Sequence, residues 1–113
     1  MNLLKMAGAA ISDPNIYLIM ADFLTDHPST NPEKEYYIKR LRNPSGMFLH
    51  TLVDIVAKFG EKHERSQVRK MVKFALKNSG IGKNRIKRKN LHLVVTSGGF
   101  SINKKLKQNL AEV

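Results

Sequence analysis

No cysteine occurs in the chain, so disulfides and thiolate metal sites are both excluded. Secretion gains no support either, because small secreted domains lean on disulfides. The four histidines, His27, His50, His63 and His92, stand singly with no HxxxH or HExxH pair. A metal site would therefore have to be assembled from distant elements, and none is expected. Long apolar runs are lacking as well. The opening MNLLKMAGAAISD is broken by Lys5 and is too short to span a bilayer. It reads as a first helix or its lead-in, and the protein as intracellular.

Acid is the most unevenly supplied residue class. Residues 65–113 hold thirteen Lys and Arg against one carboxylate side chain, Glu112, for a net of +12. Residues 1–64 hold seven basic and eight acidic side chains, a net of −1. At 113 residues the chain is expected to be one domain, in which a near-neutral helical scaffold (1–64) carries a strongly basic, nucleic-acid-facing part (65–113). With 42% hydrophobic and 26% charged residues, composition argues against a wholly disordered chain. The competing polyanion is an anionic membrane surface.

What is present is a helical pattern. Val68, Met71, Val72, Ala75 and Leu76 fall at i, i+3, i+4, i+7 and i+8, which places them on one side of a helix. Arg69, Lys73 and Lys77 recur every fourth residue and, with Lys70, come out opposite that stripe. The helix is expected to stop near Asn78-Ser79-Gly80. Lys83, Arg85, Lys87, Arg88 and Lys89 then crowd five cations into seven residues, which repel one another unless a polyanion lies against them. Gly80-Ile81-Gly82-Lys83-Asn84 resembles a fragment of a phosphate-binding loop. It fails the full pattern because one residue separates the glycines and Asn follows the lysine.

Upstream, helices are expected over residues 2–11, from Pro14 to about Thr25, from Pro32 to about Leu41, and from about Gly46 to Phe59. Ser12 or Asp13 and Asn31 are the cap candidates for the second and third, and Ser45 for the fourth. The second helix is apolar around most of its girth. Its core candidates are Ile16, Tyr17, Ile19, Met20, Phe23 and Leu24, and it belongs at the centre of a bundle or at a subunit interface. The fourth is placed in the middle of the fold. A helix, a Gly60-containing turn and a basic second helix also meet the layout of a helix-turn-helix unit. Two short apolar pieces around Gly98-Gly99 suggest a β-hairpin over residues 91–102, a wing. Alternatively, Ser101 caps a final helix from Ile102 to Val113, with Ile102, Leu106, Leu110 and Val113 on one face.

The fold class is thus mainly α, a compact bundle of about five to six helices. The expected function is noncatalytic nucleic-acid binding, to DNA or RNA, without a cofactor. Arg65, Arg69, Lys70, Lys73 and Lys77 are the structured phosphate contacts, and Lys83, Arg85, Lys87, Arg88 and Lys89 the induced ones. Gln67 and Asn84 are the candidate base readers, since side-chain amides pair with base edges. The alternative is an assembly subunit of a nucleoprotein particle, a homo-oligomer or larger complex held through the apolar N-terminal half. A third class, a metal-dependent nuclease, would need converging carboxylates; Asp54 and Glu64 are the residues to check, and no pair has diagnostic spacing.

Overall fold

Six helices are present among the residues that the computed structural model describes, which are 2–43, 45, 47–78 and 99–113. They are α1 (Leu3–Ala10), α2 (Ile16–Asp26), α3 (Lys34–Leu41), α4 (Leu49–Phe59), α5 (Lys62–Asn78) and α6 (Gly99–Ala111). Asn2 caps α1 by accepting the Lys5 amide at 2.8 Å. Asp13 accepts the Asn15 amide at 3.1 Å and Asn31 the Glu33 amide at 2.9 Å, so both expected cap residues bond to amides ahead of the helices rather than capping them; the N-cap positions fall to Asn15 and Glu33, neither of which makes a side-chain cap bond. They close a turn first, and α2 and α3 begin two residues later than their prolines suggest. Ser45 does not cap α4; its hydroxyl donates to the Asn43 side chain at 2.8 Å.

Buried apolar residues from all six helices form one cluster. Within it α5 packs on α6 and α4, and α1 touches α2, α4, α5 and α6. A helix of eight residues can make that many contacts only if its neighbours come close, and Gly8 permits this for α6. A methyl group there would stand 2.1 Å from the Leu110 carbonyl oxygen, which is backbone and cannot swing aside. Gly8 reads in sequence as a weak point of the first helix, and in the fold it is the crossing point. Gly8→Ala should therefore cost about 2 kcal/mol through forced separation of α1 and α6, although alanine is the better helix former. Urea unfolding measures it, and an unchanged midpoint would show that the two helices do not cross here.

α2 does not take the central place, one of the two expected of it, and Ile19 and Phe23 are not core residues. Met20, Ala21 and Leu24 are buried, but Leu18, Ile19 and Phe23 are 50%, 52% and 37% exposed, so the helix lies on the outside of the bundle rather than at its centre. Its all-round hydrophobicity is not consumed by this chain's own core. α4 does sit within the fold, with Leu52, Val53, Ile55, Val56 and Phe59 buried, while Phe48 before it is exposed. The hairpin expectation is corrected in part. Residues 100–102 belong to α6, which already begins at Gly99, and no strand occurs among the described residues. Residues 91–98, the other half of that hairpin, lie outside them. In α6 Ile102, Leu106 and Leu110 are buried as the periodicity requires; Val113 lies beyond the helix end and is exposed.

Candidate nucleic-acid interface

Packing fixes how α5 is turned. Val68, Val72, Ala75 and Leu76 are buried and Met71 packs against the same core. Burying one Val or Leu side chain is worth about 1.5–3 kcal/mol. An exposed ion pair is worth at most about 1 kcal/mol, so the apolar side sets the rotation and the cations follow. Lys70, Lys73 and Lys77 are exposed and Arg69 is half-buried beside them. Among the described residues no carboxylate lies within ion-pair distance of these four. The ion pairs there join Arg42 to Asp22 and Lys58 to Glu33 and Asp54, and His63 lies 3.5 Å from Glu61.

Arg65 stands apart from that row. It is half-buried, and its guanidinium donates to the Gly60 carbonyl at 3.1 Å, closing the two-residue link between α4 and α5. Gly60 is extended, with φ −70° and ψ 162°, and so ends α4 without the left-handed turn that glycine usually supplies. Gln67 is exposed and borders a shallow groove of about 340 Å³ between α5 and α6, with Lys70, Met71 and Phe74 beside it and Asn109, Glu112 and Val113 opposite. Phe74, not singled out by the sequence, is 52% exposed. The signal for it was available, because Phe74 falls off the stripe of Val68, Val72, Ala75 and Leu76. Lys104, Lys105 and Lys107 of α6 are also exposed and likewise went unassigned. Lys83, Asn84, Arg85, Lys87, Arg88 and Lys89 lie outside the described residues.

The two carboxylates a nuclease would draw on are engaged elsewhere. The Asp54 side chain is only 14% exposed and accepts the Tyr37 hydroxyl, while Lys58 donates to Tyr37 and to Glu33, each at 2.9 Å. This network ties α3 to α4. Burial, aided by the Asp54 carboxylate, pushes the Tyr37 phenol up to about 12. Burial alone would lower Lys58, but its bonds to Tyr37 and Glu33 and the nearby Asp54 charge outweigh that and hold it above its ordinary value. Both groups bind their protons more tightly folded than unfolded. Their stabilisation is therefore complete below pH 10 and disappears as pH rises, for Tyr37 between 10 and about 12. The urea midpoint should fall steeply across that window, and Tyr37→Phe should flatten the fall; an equally steep fall in the variant would assign it to other groups.

Glu64 is 2% exposed, and its two oxygens accept the backbone amides of Leu4 at 2.7 Å and Glu61 at 2.8 Å. One carboxylate thus faces the positive amino ends of α1 and α5 together. Glu61, His63 and Glu64 do bring ligand atoms within 4.8 Å of one another. With a backbone amide on each Glu64 oxygen and Glu61 and His63 exposed, the role this structure shows for the carboxylate is that of a helix cap.

Compared with known protein families, curated proteins and solved structures, the chain matches none. No helix among the described residues is long and apolar enough to cross a membrane.

Proposed function

We propose that the chain is a small noncatalytic nucleic-acid-binding protein that contacts phosphates through the outward face of α5. The observation that carries this is the row of Arg69, Lys70, Lys73 and Lys77, held outward by the packed side of the helix and left without carboxylate partners among the described residues. Cations so placed release condensed counterions when phosphates meet them, which is the main source of nonspecific affinity. The run Lys83, Arg85, Lys87, Arg88 and Lys89 follows α5 in sequence and adds charge of the same sign. Helix-turn-helix docking is not needed for this reading, since phosphate contact requires only an exposed basic face.

The test compares binding to duplex DNA, single strands and structured RNA at two salt concentrations. Affinity that falls steeply with salt supports the reading, and absence of binding to all three overturns it.

A second reading is favoured by α2, whose Leu18 and Ile19 are half exposed beside Phe23, all three outside the buried core cluster. Such a face suits an assembly subunit that presents its basic half to nucleic acid. Mass measured against concentration separates the two: a strict monomer at high concentration removes the assembly reading and leaves the first untouched.

A further inference from the structure

Lys70, Lys73, Phe74 and Lys77 occupy i, i+3, i+4 and i+7 of α5, and all four are exposed. The spacing that makes one face of a helix therefore recurs on the outward side, where it joins three cations to one aromatic ring. Phe74 stands about 6 Å along the helix axis from Lys70 and about 4.5 Å from Lys77, one turn in either direction. Beside it runs the groove bordered by Gln67 and Met71 on α5, with Glu112 as its one carboxylate.

Cations alone serve any polyanion. An exposed aromatic among them does not. In a duplex each base face is already covered by its neighbours, so a helix lying in the groove offers Phe74 only backbone and base edges. In an unpaired strand the base faces are open, and an aromatic ring flanked by basic side chains is the usual means of holding them.

We propose that α5 selects unpaired polynucleotide, with the Phe74 ring stacked on one base while Lys70, Lys73 and Lys77 hold the phosphates on either side. This rests on α5 being the nucleic-acid surface at all. The ligand chemistry is a single strand with accessible bases, and oligo(dT) and oligo(U) distinguish DNA from RNA as its source.

The chain has no tryptophan, so Phe74→Trp introduces a single indole at the stacking position, excited at wavelengths where the three tyrosines do not absorb. Its emission should be quenched by oligo(dT) or oligo(U), and much less by a duplex of equal charge or by inorganic polyphosphate. Phe74→Ala should weaken single-strand binding roughly five- to hundredfold. Its salt slope and its duplex affinity should stay at the wild-type values, since no cation is lost. Phe74 is exposed, so the variant should fold; matching unfolding midpoints confirm that. Equal loss for duplex and single strand, or no loss at all, overturns the stacking proposal and leaves α5 as a phosphate-binding face. If oligonucleotides of every kind fail to bind the wild-type chain, both readings fall.

Discussion

Glu64→Ala is expected to destabilise the fold by about 3–5 kcal/mol, because it removes a buried acceptor shared by two helix ends. The Leu4 and Glu61 amides bond to the Glu64 carboxylate at 2.7 and 2.8 Å. A hydrogen bond to a charged group contributes roughly 1.5–3 kcal/mol, and there are two such bonds here. Water cannot readily replace it at a side chain only 2% exposed. For a chain of this size, the loss corresponds to a melting temperature lower by roughly 10–20 °C. Glu64→Gln keeps one acceptor and gives up the charge opposite both helix dipoles, and should fall between alanine and wild type. Thermal unfolding of the three proteins is the measurement. A loss below about 1 kcal/mol for alanine would mean that the two amides find other partners.

Half of that arrangement could be read in the sequence. Glu64 comes three residues after Glu61, the spacing at which a first-turn carboxylate reaches back to the amide before the helix. The other half could not, because Leu4 lies 60 residues away and only tertiary packing brings its amide to the same carboxylate. Gly8 divides in the same way: as a residue it lowers helix propensity, and only the crossing of α6 shows why no side chain fits. The stripes of α5 and α6 were legible because the 3.6-residue period sorts Val68, Val72 and Leu76, or Ile102, Leu106 and Leu110, onto one side without reference to partners. In α2 that sorting fails. Most of its girth is apolar, so the period does not separate buried Met20 and Leu24 from exposed Ile19 and Phe23. Asp54 shows the converse limit. A lone carboxylate in an apolar helix does not reveal its own burial, and Tyr37 and Lys58, 17 and 4 residues away, provide the partners that let it be largely buried.

The second large effect concerns binding. Replacing Arg69, Lys73 and Lys77 together by Gln should make the dependence of log affinity on log salt shallower by roughly 0.7–0.9 per lost contact, or about 2–3 overall. At about 0.1 M salt that amounts to a loss of roughly a hundredfold or more. The fold should survive, since neither Lys73 nor Lys77 is buried and no ion pair to a described carboxylate is broken. Arg65→Gln is the contrasting variant. Its side chain is spent on the Gly60 carbonyl, so it should reduce stability more than it flattens the salt slope.

The most direct measurement is a titration of the isotopically labelled chain with a short unpaired oligonucleotide, followed through its backbone amide resonances. Signals of Arg69, Lys70, Lys73, Phe74 and Lys77 should move with the oligonucleotide while those of α3 stay in place. Saturable binding that leaves α5 unmoved, with the shifts gathered on another helix, would contradict the assignment of this face.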